Sequence, residues 1–127
     1  MRVLLLEDSM ERISWFAKRF IGKVVDYAYT ADQANEFLLK NTYDIIFLDH
    51  DLAEEHYVAM YQPLDTELIG TGVDTAKFIA SNKCSPKAQI IIHSLNSVGS
   101  QNIFAILDDA GYNVQKVPYL ELKKRML

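Results

Sequence analysis

A chain of 127 residues carrying a formal charge of −4 has the size of one ordinary domain and buries roughly two thirds of its unfolded surface, so it needs neither disulfides nor a structural metal to fold. The negative balance, with Lys123, Lys124 and Arg125 as the basic cluster, gives no general attraction to phosphate backbones and argues against double-stranded DNA as a partner. A single cysteine, Cys84, suits a reducing cytoplasm, and the first apolar run, Val3 to Leu6, stops at Glu7 and Asp8, too short for a signal peptide or a membrane span.

Arg2 to Leu6 reads as a buried strand that ends in the carboxylate pair Glu7 and Asp8. Met10 to Phe20 follows as a helix, with Ile13, Phe16, Ala17 and Phe20 on one face, Ser9 as N-cap and Gly22 as stop. Val24 to Tyr29 is a strand. Thr30 opens the next helix with a capping box, because Gln33 lies three residues on, and Ala34, Phe37, Leu38 and Asn41 run along it. Tyr43 to Leu52 holds the central strand: Ile45, Ile46, Phe47 and Leu48 suit burial on both faces of a parallel sheet, and the chain then turns abruptly to Asp49, His50 and Asp51. From Ala53 to Gly70 periodicity is lost. A loop that long in a compact domain is either functional or partly disordered, and His56, Tyr57 and Tyr61 read either as surface packing or as part of a substrate cover.

Helical periodicity returns at Thr71, with Val73, Ala76, Phe78, Ile79 and Ala80, and ends near Asn82. Gln89 to His93 is a strand, followed by Ser94, Leu95 and Asn96. Ser97 to Ala110 is a helix closed by Gly111, Tyr112 to Val117 a fifth strand, and Tyr119 to Leu127 a short final helix. Strict alternation of strands and helices predicts one α/β domain over residues 1–127: a five-stranded parallel sheet in the order 2-1-3-4-5, with right-handed crossovers and helices on both faces.

In such a sheet the carboxyl ends of the strands share one rim, where ligands bind. Glu7, Asp8, Asp49, His50, Asp51, His93, Ser94 and Asn96 all fall on it. Clustered carboxylates repel one another, and a hard cation such as Mg²⁺ or Mn²⁺ relieves them through oxygen ligands. Asp8 and Asp49 are the expected ligands, with Glu7 direct or through water and the backbone carbonyl of Asp51 as a further one. Ser94 and Asn96 offer neutral hydrogen bonds to a phosphoryl oxygen, and the imidazoles of His50 and His93 suit acid–base work. Each residue also has a purely structural reading. Glu7 and Asp8 suit the start of the first helix, the Asp51 side chain suits solvent, and His93 suits hydrogen-bonded packing at the end of an apolar strand.

The order of elements, Glu7-Asp8, Asp49, Ser94 and Pro118 together resemble the receiver domain of two-component response regulators. The resemblance implies a metal-binding acidic pair, a phosphoacceptor aspartate at Asp49, and a hydroxyl at Ser94 that contacts the phosphoryl group. It also implies a lysine directly before the proline, and here that lysine is missing. Val117 precedes Pro118, and Lys116, one position early, points to the opposite face of its strand. LDHDL at Leu48 to Leu52, the long insert, TGVD at Thr71 to Asp74 and HSLNSVG at His93 to Gly99 are similar to a divergent branch, the cyclic-phosphate-processing receiver domains. That likeness implies a scaffold turned from signalling toward binding or hydrolysing a cyclic phosphate.

Two readings from different classes follow. In the first, Asp8 and Asp49 hold Mg²⁺ or Mn²⁺, His93 or His50 moves a proton, Ser94 and Asn96 orient the phosphate, and a phosphate-bearing small molecule, nucleotide or RNA end is the partner. In the second, the chain is a cytoplasmic signalling module phosphorylated on Asp49 by a phosphodonor kinase, or a sensor of a bound ligand.

Overall fold

The computed structural model describes residues 1–51 and 71–125. The expected loop insert, with His56, Tyr57 and Tyr61, lies outside the described residues. Among the described residues ten elements follow one another: β1 (Arg2–Leu6), α1 (Met10–Arg19), β2 (Val24–Ala28), α2 (Ala31–Lys40), β3 (Ile45–Leu48), α3 (Gly72–Asn82), β4 (Gln89–Ile92), α4 (Ser97–Asp109), β5 (Asn113–Lys116) and α5 (Tyr119–Arg125). All strand pairs are parallel and the sheet order is β2-β1-β3-β4-β5, as the alternation predicts. None of the described helices is long and apolar enough to cross a membrane.

Period-two alternation sorts the strand side chains into two cores. Leu4, Leu6, Ile46, Leu48, Ile90 and Ile92 pack with Ala34 and Leu38 of α2, Ile79 of α3, and Ile103 and Leu107 of α4. Val3, Leu5, Phe47 and Ile91 face the other way, onto Ile13 and Phe16 of α1, Phe20, and Tyr119 and Leu122 of α5. Helices on both faces explain why the central strands carry unbroken apolar runs.

Several ends differ from the sequence pattern. Strands β2, β4 and β5 stop one residue short of Tyr29, His93 and Val117, and Ala17, expected on the buried face of α1, is exposed; the half-buried Trp15 packs there instead. Ser9 sits at the N-cap of α1 with extended backbone, but its hydroxyl makes no capping bond. The amides of Asp8 and Ser9 donate instead to Glu7 Oε2 at 2.9 and 3.0 Å. At α2 the Thr30 hydroxyl accepts from the Gln33 amide, while Gln33 Oε1 reaches back to the Tyr29 amide rather than to Thr30. The reciprocal capping box forms at α3, between Thr71 and Asp74.

Candidate functional site

The sheet ladder runs one rung beyond the strands, and that rung carries the site. Asp49 N donates to Leu6 O at 3.1 Å, His93 N to Leu48 O at 3.1 Å, and Val117 N to Ile92 O at 2.9 Å. Because β3 lies between β1 and β4, Glu7, Asp49 and His93 meet at one corner. One ligand atom of each lies within 4.8 Å of the others, and all three side chains are buried. His93 follows the parity of Ile91, so its ring lies in the α1–α5 core against Phe16 and Phe47.

Glu7 is the hub of this corner. Its carboxylate accepts from the amides of Asp8 and Ser9, from Arg12 Nε at 2.7 Å and Nη2 at 3.0 Å, and pairs with His93 Nε2 at 2.9 Å. Burial alone would raise its pKa, but the hydrogen bonds from His93 and Arg12 outweigh it and bring the carboxyl down to about 2. Asp49 goes the other way. Burial first, and then the charge of Glu7, push it up to about 8, against the opposing pull of Arg12 and the Ser94 hydroxyl; Asp8 adds to the rise. Its Oδ2, 3.7 Å from Arg12 Nη2, is buried with no hydrogen-bond partner among the described residues, and so is His93 Nδ1.

A second cluster lies outside the first. His50 Nδ1 meets Asp51 Oδ1 at 2.8 Å, and Asn96 Nδ2 donates to that oxygen at 3.2 Å. Asn96 also caps α4, accepting from the Gly99 amide at 2.8 Å. Two glycines allow this closeness. A Cβ on Gly99 would run into the His50 ring, and one on Gly72 would run into the Asp49 carbonyl oxygen. Gly72 N in turn donates to His50 O at 3.1 Å. The glycines of TGVD and HSLNSVG are therefore contact glycines that let α3 and α4 start directly against the end of β3.

The described lining of the cavity at this rim is Arg12, Asp49, Asp51, His93, Ser94 and Leu95, around a volume of about 90 Å³. That is room for about three waters. The structure thus brings Glu7, Asp49, His93, Ser94 and Asp51 together, and sets His50 and Asn96 behind Asp51. Asp8 is half-buried beside them, and its charge is felt at Asp49 and Arg12. Lys116 lies away from the site, as strand parity requires: its Nζ donates to Gln101 Oε1 at 2.6 Å and sits 5.3 Å from the Phe104 ring centroid.

Arg12 is the site residue that the sequence reading missed. A signal was present, since a cation at the third position of a helix opposes the macrodipole and calls for a compensating anion nearby. Strand-end patterns point only at strand ends, so they do not relate Glu7 to a residue five positions further on.

A family model described as the cyclic-phosphate processing receiver domain matches residues 2–109. Among solved structures, the chain is similar to a CheY-like response regulator receiver domain protein from Methanospirillum hungatei JF-1, at 14% identity over 98% of this chain and 88% of that one, with a TM-score of 0.65. It is similar to the chemotaxis protein CheY4 of Vibrio cholerae, at 17% identity over 99% and 98%, with a TM-score of 0.62. A third is a response regulator protein from Burkholderia pseudomallei, described with a phosphorylated aspartic acid, a calcium ion and citrate, at 13% identity over 99% and 66%, with a TM-score of 0.63. At such identities these likenesses speak for the fold. No curated protein sequence matches the chain.

Proposed function

The chain belongs to the cyclic-phosphate processing receiver domains, and from that premise we propose that its rim cavity binds a divalent cation together with a cyclic phosphate and hydrolyses the ring ester. The observation that carries this reading is Asp49 Oδ2, buried and without a hydrogen-bond partner among the described residues, in a cavity that also presents His93 and Ser94. A buried carboxylate so placed is suited to a hard cation, and oxygen donors fit Mg²⁺ or Mn²⁺. Asp8 and Asp49 would hold it, with the Asp51 carbonyl, and with Glu7 through water because both Glu7 oxygens already take hydrogen bonds. Such a cation supplies Lewis acidity to the phosphoryl oxygens.

Hydrolysis of a cyclic phosphate joins a water oxygen to phosphorus and breaks one ring P–O bond. The water loses a proton and the leaving oxygen gains one, so the product is a phosphomonoester with a free hydroxyl. His93 lines the cavity and is the first candidate for this proton traffic, its Nε2 held by Glu7 as an orienting carboxylate holds a general base. Ser94 donates to the phosphate. His50 acts from behind, fixing Asp51 through its Nδ1, and Asn96 steadies the same carboxylate.

The test is incubation of the pure protein with Mg²⁺ or Mn²⁺ and a panel of cyclic phosphates, beside a small-molecule phosphodonor. Ring opening that requires the cation supports the reading. Absence of turnover, together with an acid-labile phosphate on Asp49, would replace it with the phosphoaccepting signalling module.

A further inference from the structure

Among the described residues that line the cavity, one is cationic: Arg12. It stands in the first turn of α1, where the helix macrodipole disfavours positive charge, whereas Lys18 and Arg19 occupy the last turn, where the dipole welcomes them. Position 117, which adjoins the same corner through the Val117 N to Ile92 O rung, is a buried valine, and Lys116 is engaged on the other face. The cavity therefore draws its positive charge from a helix rather than from the fifth strand.

We infer that Arg12 is the anion-binding group of this cavity, its guanidinium receiving a non-bridging phosphoryl oxygen beside Asp49. The inference rests on reading the cavity as a phosphate site and names the residue that recognises the phosphate there. Glu7 fixes the guanidinium by two bonds, at 2.7 Å to Nε and 3.0 Å to Nη2. Glu7 is itself pinned by two backbone amides and His93, so little side-chain freedom remains to be lost when an anion arrives. Tyr119 flanks the group, its ring centroid 6.0 Å from Arg12 Cζ. Nη2 stops 3.7 Å from Asp49 Oδ2, within ion-pair range but beyond a hydrogen bond. Arg12 thus screens Asp49 without using up its oxygen. A planar guanidinium held in this way suits phosphate, which accepts charge-assisted hydrogen bonds from it. Charge also fits. With a divalent cation held by Asp8 and Asp49, the charges of Glu7, Asp8, Asp49, Arg12 and the ion sum to zero, so an incoming phosphoryl anion no longer meets an excess of carboxylate. Glu7 becomes a positioning residue, holding Arg12 more than the metal.

The experiment titrates Mg²⁺ alone, and then inorganic phosphate onto the Mg²⁺-loaded protein, by calorimetry for the wild type, Arg12→Lys and Arg12→Gln. Arg12→Gln should weaken phosphate binding by about 10- to 100-fold, with Mg²⁺ affinity unchanged or tighter because a nearby positive charge is gone. Arg12→Lys should recover part of the loss. Because Arg12→Gln leaves Glu7 with fewer partners and can unfold the corner, the wild-type Arg12 Nε–H resonance is followed as well, and it should shift on phosphate addition. An unmoved resonance, or phosphate affinity in a folded Arg12→Gln equal to wild type, overturns the inference. Equal loss of Mg²⁺ and phosphate also overturns it, showing a purely structural arginine. If the wild type opens cyclic phosphates while any of these results is obtained, the proposed function stands and only the role of Arg12 falls. If the wild type binds neither Mg²⁺ nor phosphate, both fall together.

Discussion

Removing the charge of Asp49 should make the metal-free protein more stable while abolishing its response to metal. Asp49→Asn is nearly isosteric and leaves the backbone bond to Leu6 O intact. The carboxyl is pushed from its ordinary 3.8 up to about 8, chiefly by burial and then by Glu7. At about 1.4 kcal/mol per pKa unit the upper bound on the cost of ionising it is roughly 6 kcal/mol. Water at the open rim and the new amide's own hydrogen-bonding needs offset part, leaving ~1–3 kcal/mol. The direction follows from linkage. A pKa raised on folding favours the folded state fully below the unfolded value of 3.8, and that contribution is lost as pH rises through about 8. In EDTA above pH 8, Asp49→Asn should therefore melt ~4–12 °C higher than wild type, at roughly 4 °C per kcal/mol for a chain of this length. Saturating Mg²⁺ should lift the wild type, by about 2.7 kcal/mol at a hundred times its Kd, and leave the variant unmoved. Calorimetric melting across pH, with and without Mg²⁺, measures all of this. Equal melting of the two proteins in EDTA would refute the stored-charge argument, and equal stabilisation by Mg²⁺ would move the metal away from Asp49.

Glu7 carries the opposite linkage: held down at about 2 against an ordinary 4.5, it contributes stability above 4.5 that disappears as pH falls toward 2. Acid unfolding of Glu7→Gln should show a weaker pH slope in that window than wild type, and an unchanged slope would discount the Glu7 hydrogen bonds. His93→Ala should lower cyclic-phosphate turnover by about 10² to 10⁴ with Mg²⁺ affinity nearly unchanged, read by steady-state kinetics beside calorimetry; full activity would remove His93 from the chemistry. His50→Ala, which acts through Asp51, should cost less than His93→Ala, and the reverse ranking would make His50 the proton carrier. Gly99→Ala drives a Cβ into the His50 ring and should destabilise by about 1–3 kcal/mol, a loss that denaturant melts would show shrinking in the double variant with His50→Ala.

The fold was legible because its signal is local. Apolar runs at Leu4, Ile46 and Ile91, separated by helical periods, specify a parallel sheet covered on both sides, and the observed order β2-β1-β3-β4-β5 is one of the few that right-handed connections allow. The rim was legible for the same reason: Glu7, Asp49 and His93 are each the next residue after a strand ends, so topology alone makes them neighbours. Strand parity likewise sent Lys116 away from the site. What tertiary structure decided is where side chains point once the ladder stops. His93, still on the ladder, follows the parity of Ile91 into the core against Phe16 and Phe47, but His50 lies past the last rung, where no period governs direction and Gly99 admits its ring on the outer side, so two histidines of equal standing in sequence have different surroundings. Arg12 was hidden for a related reason. Its place is set by Glu7 across a strand-to-helix turn, and neither a strand period nor a helix period relates two residues on opposite sides of such a turn, so only the folded chain shows that they meet.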